Sequence, residues 1–133
     1  MIEEKDLIVL ETEFGTWKTF RDNYQNIRTE QGWKIYDKYR EIREDDIVID
    51  VGSHTGYFTL KAAKTANKGN VISIEPHPDN FSLLLENINN NNLTNVIPLK
   101  FAAWNDIGIK KLFLNPSSGS HSFIFEDDRN SIE

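Results

Sequence analysis

The sequence predicts an α/β domain built around a mostly parallel sheet. Three short apolar runs rich in β-branched residues occur at 47–51, 71–75 and 95–99, and each of the first two is followed by a segment with apolar residues at helical spacing. Such runs are typical of strands that are covered on both faces. Strand and helix alternating with short joints are typical of βαβ units, which form parallel sheets. With 133 residues, the chain is long enough for one compact domain.

The N-terminal part predicts a lead-in of a hairpin and a helix over residues 1–44. Residues 7–10 and 16–20 are β-prone and are separated by a turn at 13–15, and residues 22–42 have a partly helical pattern. The domain proper is then expected over 45–114. Its first helix would run over 57–66, and its second would begin near Pro78 and end in the asparagine run at 89–92.

The alternation of strand and helix stops after the third strand. Residues 100–104 and 109–114 predict two strands of a hairpin around a turn at 105–108. Residues 115–133 are rich in serine and contain Pro116 and Gly119, so they are expected to form a flexible tail.

Composition restricts the function classes. The net charge is −6, with 15 basic and 21 acidic residues and no run of Lys or Arg, which disfavours a nucleic-acid partner. There is no cysteine, so disulfides, thiolate catalysis and cysteine-ligated zinc are excluded. The acidic start lacks the order of a signal peptide, and no apolar run is long enough to cross a membrane. We therefore expect a cytoplasmic protein without a membrane segment.

A glycine loop directly follows the first of these strands. Gly52 and Gly56 flank three residues, and a helix is predicted to begin at Tyr57. Glycines allow a tight turn and a close approach of backbone to ligand, and the helix N-terminus supplies N–H donors. A dinucleotide fingerprint would require glycine in place of His54 and Tyr57. An NAD-dependent oxidoreductase is therefore disfavoured.

An acidic residue ends the second of these strands. Glu75 follows Gly56 by 19 residues, and in a right-handed βαβ unit this position lies beside the glycine loop at the carboxyl edge of the sheet. A carboxylate at this position can accept hydrogen bonds from both hydroxyls of a ribose. The two elements together predict a nucleotide-containing ligand.

The segment 50–60, Asp-Val-Gly-Ser-His-Thr-Gly-Tyr-Phe-Thr-Leu, resembles the first motif of class I S-adenosylmethionine-dependent methyltransferases, and within them the FkbM family. Residues 71–78, Asn80-Phe81, Leu84 with Asn87-Ile88, and Asn95-Val96 leading to Ala102-Ala103 are similar as well. The resemblance covers about 45–113. It implies a Rossmann-like methyltransferase fold with three αβα layers.

The resemblance also implies a site for S-adenosylmethionine. The first loop would face the methionine part of the cofactor, Glu75 would hold the ribose, and Pro76 and His77 would border the adenine, with Phe101 and Ala102 on its other side. The loop residues in this set are Asp50, Gly52, Ser53, His54, Thr55 and Gly56. Asp50 could also stabilise the cationic sulfonium electrostatically. No catalytic residue and no metal ligand is assigned, since a histidine base needs placement as well as a suitable pKa.

The sequence departs from the family after Leu114. The family continues into a further parallel strand with an acidic motif, which is absent here, so the fold is expected to be truncated after the third strand and a hairpin. The strand at 47–51 would then be an apolar edge. Either the chain is a fragment of a longer protein, or another chain or the N-terminal segment covers this edge, and we expect association with a second copy or a partner. Two functions follow from the resemblance: O-methylation of a small molecule or glycan, or a truncated non-catalytic module that binds cofactor or a partner chain.

Overall fold

The computed structural model describes residues 6–23, 37–114 and 131–132. Within these ranges the elements are, in chain order, β1 (Leu7–Thr12), β2 (Gly15–Phe20), β3 (Ile47–Val51), α1 (Tyr57–Thr65), β4 (Asn70–Ile74), α2 (Pro78–Asn90), β5 (Val96–Leu99), β6 (Leu112–Phe113) and β7 (Ser131–Ile132). The predicted succession of strands and helices from β3 to β5 is confirmed. Most of the helix predicted over 22–42 lies outside the described residues.

The central sheet has the order β3-β4-β5, and both pairings are parallel. Ile47 faces Asn70 across the first pairing, and Val71 faces Val96 across the second. The carboxyl ends of the three strands therefore lie at one edge of the sheet, where the glycine loop and Glu75 follow β3 and β4. The prediction of a parallel sheet is confirmed.

One face of this sheet is covered by helices. Ala62 and Ala63 of α1 are buried against Val71, and Val48 and Val96 pack on the same cluster. The small alanine side chains let α1 lie close to the strands.

The opposite face of the sheet is open among the described residues. Ile47, Ile49 and Val51 of β3 are 59–70% exposed, and Ile97 of β5 is 48% exposed. β3 also has a strand neighbour on one side only within the described part of the chain. The described residues thus form two of the three predicted layers, the sheet and the helices on one of its faces. As the sequence predicts, β3 is an apolar edge strand.

The predicted N-terminal hairpin is confirmed, with β1 and β2 pairing antiparallel from Leu7–Phe20 to Thr12–Gly15. It docks on α2 through asparagine side chains. Asn87 accepts a hydrogen bond from the Lys18 N–H and donates one to the Lys18 carbonyl, each at 2.8 Å. Asn91 makes the same pair of bonds with Thr16, at 3.0 and 2.7 Å.

These two side-chain amides replace a neighbouring strand. Residues four apart on a helix are separated by about 6 Å along its axis, and residues two apart on a strand by about 6.7 Å. Asn87 and Asn91 therefore match the spacing of Lys18 and Thr16. The asparagine run is confirmed as the end of α2, because Asn91 is its C-cap and Asn92 has a positive φ of 52°.

The hairpin predicted for 100–104 and 109–114 is wrong. Residues 100–104 form no strand, and Leu112–Phe113 pairs instead with Ser131–Ile132, two residues of the predicted flexible tail. Residues 100–111 are all exposed, Ile107 and Ile109 almost fully, so they have no buried face that would hold two strands together. Residues 115–130 lie outside the described residues. Among the described helices, none is long and apolar enough to cross a membrane.

Candidate cofactor-binding site

The glycine loop turns sharply between β3 and α1. Gly52 and Gly56 have φ angles of 77° and 92°, in the left-handed region that favours glycine. A Cβ on Gly56 would lie 2.6 Å from Cδ1 of the fully buried Leu84, so a larger residue at 56 would displace this core side chain. A Cβ on Gly52 would have no atom within 4 Å. Gly52 therefore leaves open space beside the backbone, as a loop that approaches a ligand requires.

Glu75 connects the glycine loop to the start of α2. Its Oε2 accepts a hydrogen bond from the His54 N–H at 2.9 Å, and its Oε1 accepts from the His77 N–H at 2.9 Å and from Asn80 Nδ2 at 3.2 Å. The carboxylate is 5% exposed. A carboxylate has about four lone-pair sites, so these three donors fix its orientation and leave capacity for a ligand hydroxyl. The predicted proximity of the loop and Glu75 is confirmed.

A cavity of about 450 Å³ opens at this edge of the sheet, within the size range of small-molecule sites. The predicted residues that line it are Gly52, Ser53, His54, Thr55, Glu75, Pro76, Phe101 and Ala102. Three other predicted residues are not among the residues that line it, namely Asp50, Gly56 and His77. The strand ends thus bring together most of the predicted set around one space.

Several lining residues are absent from the prediction. Trp17 and Asn23 come from the N-terminal hairpin and the residues after it, and Tyr57 and Phe58 begin α1. The Trp17 and Tyr57 rings are in contact, with centroids 4.7 Å apart. The position of Tyr57 directly after the glycine loop could have indicated its place. No pattern in the sequence links Trp17 to the loop, because the docking of the hairpin decides it.

Asp50 lies on the helix side of the sheet end. Its Oδ2 accepts a hydrogen bond from Thr59 Oγ1 at 2.6 Å, and Thr59 also contacts Ser73 Oγ at 2.8 Å. Burial raises the pKa of the Asp50 carboxyl, the Thr59 hydrogen bond lowers it, and the negative charge of Glu75 raises it further. The structure therefore gives Asp50 a place in the core, and its role toward a sulfonium stays a prediction.

This raised pKa predicts a pH-dependent stability. A carboxyl group whose pKa is raised by folding contributes stability below its unfolded pKa, and this contribution is lost as the pH rises through the folded pKa. Asp50→Asn keeps an oxygen for Thr59 and has no charge. We expect its free energy of unfolding to exceed that of the wild type at about pH 7, and the difference to disappear near pH 4. Urea unfolding at several pH values measures this, and a pH-independent difference would contradict it.

The two site histidines have structural partners. His77 is the N-cap of α2, and its Nδ1 accepts from the Asp79 N–H at 3.2 Å. Burial lowers the pKa of His77, the charge of Asp79 raises it and that of Lys100 lowers it. His54 has a φ of 52°, and its Nδ1 lies 3.2 Å from Asn23 Nδ2. These contacts are structural, and neither indicates that the histidine acts as a catalytic base. Within the described residues, no three His, Asp or Glu side chains form a cluster that could hold a metal.

The parallel sheet, the glycine loop and the buried acid after β4 define a Rossmann-like nucleotide-binding domain of the methyltransferase type. Residues 35–113, more than half of the chain, match the TRM5/TYW2 methyltransferase domain. The chain belongs to this family. The class I methyltransferase part of the resemblance is thereby confirmed, and the FkbM assignment stays a prediction.

Two characterised relatives share this region. The chain is 41% identical over 56 residues to the tRNA(Phe) (4-demethylwyosine(37)-C(7)) aminocarboxypropyltransferase of Methanocaldococcus jannaschii, which covers 42% of this chain and 22% of the relative. It is 39% identical over 83 residues to the hexuronic acid methyltransferase AglP of Haloferax volcanii, covering 62% and 28%. The chain therefore spans less than a third of the length of either relative.

Solved structures are similar in fold. The crystal structure of M. jannaschii TYW2 in complex with AdoMet matches with a TM-score of 0.57 and 25% identity, over 83% of this chain and 49% of that one. P. horikoshii TYW2 in complex with MeSAdo matches with a TM-score of 0.55 and 18% identity, over 76% and 38%. The second likeness shows the fold alone. Both structures confirm the Rossmann-like fold and extend well beyond the part that this chain matches.

Proposed function

We propose that this chain binds S-adenosylmethionine and supplies the cofactor half of a methyltransferase. The observation that carries the proposal is the buried Glu75 carboxylate, fixed by three N–H donors and lining a cavity together with the open backbone of Gly52. The AdoMet complex of the M. jannaschii relative supports the choice of ligand.

The lining residues suit the parts of this cofactor. Glu75 would accept a hydrogen bond from a ribose hydroxyl at its remaining lone-pair site, and Pro76, Phe101 and Ala102 would border the adenine. Gly52 and Ser53 would lie along the methionine part, with no side chain on Gly52 to obstruct it. The bound cofactor supplies an activated methyl group on a cationic sulfonium. The role of the chain is then to hold this group in line with an acceptor and to exclude water.

For the acceptor we propose a small molecule or a glycan that is methylated on oxygen. The match to a hexuronic acid methyltransferase extends over 83 residues and supports a sugar acceptor. The net charge of −6 also disfavours a large polyanion as partner.

A tRNA acceptor is the second candidate. One relative is named for a reaction on tRNA(Phe), and the structure adds a local observation. A second cavity of about 400 Å³ shares Phe101 and Ala102 with the first and is bordered by Lys100 and Lys110. Asp106 also lines this cavity, so its charged residues are two lysines and one aspartate. Lysines near an active site can position a phosphate backbone.

A non-catalytic module that binds cofactor or a partner chain is the alternative, and the product analysis described below also tests it. The exposed apolar face of β3 and β5 supports a partner, either a second copy or another chain, that completes the sheet and brings acceptor-binding residues. Cytoplasmic location stays a prediction.

Product analysis tests the proposal. The purified chain is incubated with S-adenosylmethionine and either a hexuronic-acid glycan or tRNA, and the cofactor products are separated. Methyl transfer leaves S-adenosylhomocysteine, whereas aminocarboxypropyl transfer leaves 5′-methylthioadenosine. We expect acceptor-dependent S-adenosylhomocysteine with the glycan. Methylthioadenosine formed only with tRNA would overturn the proposed reaction, and cofactor binding without either product would favour the non-catalytic module.

Sedimentation of the same sample measures self-association, and a monomer at high concentration would count against a second copy on β3.

A further inference from the structure

Two buried polar groups at the cavity have no hydrogen-bond partner among the described residues. They are the indole Nε1 of Trp17 and the Oγ of Ser53. Trp17 is 1% exposed and Ser53 is 5% exposed, and both line the cavity. A buried donor without a partner loses its hydrogen bonds to water and gains none in return, so such groups in a native protein require an explanation. A ligand in the cavity would satisfy both.

Both groups lie at the glycine-loop side of the cavity. Ser53 belongs to the loop itself, and the Trp17 ring contacts Tyr57, the first residue of α1. The first turn of α1 carries no acidic residue, so the positive end of its dipole is not offset there. This side of the cavity therefore combines two donors with a potential that favours an anion.

We propose that Trp17 Nε1 and Ser53 Oγ form a subsite for the α-carboxylate at the amino-acid end of the bound cofactor. The proposal rests on the proposed function. An indole N–H can only donate, so its partner must be an acceptor, and the carboxylate is the anionic acceptor of S-adenosylmethionine. Hydrogen bonds to a charged group are also stronger than those between neutral groups.

The hairpin holds Trp17 in position for this contact. Thr19, two residues further along β2, is fully buried and its hydroxyl lies 2.9 Å from that of Thr55 in the glycine loop. Asn87 bonds both to Lys18 and to the Thr55 carbonyl, at 2.7 Å for the latter. Lys18 and Thr19, the two residues that follow Trp17, are thus fixed to the core, and Thr16 before it is held by Asn91. β2 therefore becomes a wall of the cofactor site.

Two ligands distinguish a hydrogen bond between Trp17 and the carboxylate from a general effect of Trp17 on packing. S-Adenosylhomocysteine and its decarboxylated analogue S-adenosyl-3-thiopropylamine differ only in the carboxylate. Trp17→Phe keeps an aromatic ring against Tyr57 and removes the N–H. By calorimetry, we expect the variant to bind S-adenosylhomocysteine about tenfold more weakly and the decarboxylated analogue within about twofold of wild type. Ser53→Ala should behave in the same way.

The controls make each outcome decisive. Thr16→Val removes a hydroxyl from the same strand at a residue that is not among those lining the cavity, and should leave both affinities unchanged. Equal losses for both ligands in Trp17→Phe would overturn the subsite and assign Trp17 to hairpin packing, and unchanged affinities would overturn it as well. A wild-type chain that is folded by thermal unfolding but binds neither ligand would overturn the proposed function itself.

Discussion

Replacing Glu75 by glutamine should weaken the binding of S-adenosylhomocysteine by about five- to 150-fold, or ~1–3 kcal/mol. Both carboxylate oxygens accept hydrogen bonds from N–H groups, His54 on one side and His77 with Asn80 on the other. A glutamine amide must therefore direct its NH₂ group at one of these donors. The resulting repulsion displaces the side chain, and the uncharged amide is also a poorer acceptor for ribose hydroxyls than a carboxylate.

Calorimetric titration of the variant measures this loss. Glu44→Gln is the matched control, because Glu44 is also acidic, is 59% exposed at its side chain and forms a surface ion pair with Lys68. We expect wild-type affinity from it. If Glu75→Gln bound as tightly as the control while remaining folded, Glu75 would be a structural link between the loop and α2 and no part of a ribose site.

The second large effect concerns stability. Asn87→Ala should lower the free energy of unfolding by about 2–4 kcal/mol. The Asn87 residue is 2% exposed and its side chain makes three hydrogen bonds, accepting from the Lys18 N–H and donating to the carbonyls of Lys18 and Thr55. Alanine leaves these three backbone groups without their partner. The hairpin would then be held on α2 mainly by Asn91.

Urea unfolding gives the free energy, and hydrogen exchange at Lys18 shows whether the hairpin has become loose. Asn90→Ala removes an exposed asparagine from the same helix end and should change stability by no more than about 0.5 kcal/mol. Equal stabilities of the two variants would mean that water replaces the Asn87 contacts without loss. Faster exchange at Lys18 with unchanged global stability would instead show that the hairpin opens independently of the domain.

Local sequence pattern is sufficient to predict the central sheet and the part of the site formed by the glycine loop and Glu75. Residues 47–51 and 71–74 are rich in β-branched apolar residues and are bounded by turn residues, and this pattern predicts strands. Once they pair in parallel, the residues that follow them must meet at one edge. Gly52 and Glu75 are therefore neighbours for reasons that lie within one βαβ unit, and local pattern is sufficient to place them.

The part of the site that the N-terminal hairpin supplies depends on tertiary contacts. Trp17 reaches the cavity because Lys18 pairs with Asn87, 69 residues later in the chain. Strand propensity predicts that β2 forms, but it does not predict which part of the fold β2 packs against. Here its free edge is bound by the side-chain amide of Asn87. The same holds for Leu112–Phe113, which pairs with Ser131–Ile132 rather than with its neighbours in sequence. Contacts between distant segments depend on which surfaces the rest of the fold leaves exposed, and a local sequence pattern does not predict those surfaces.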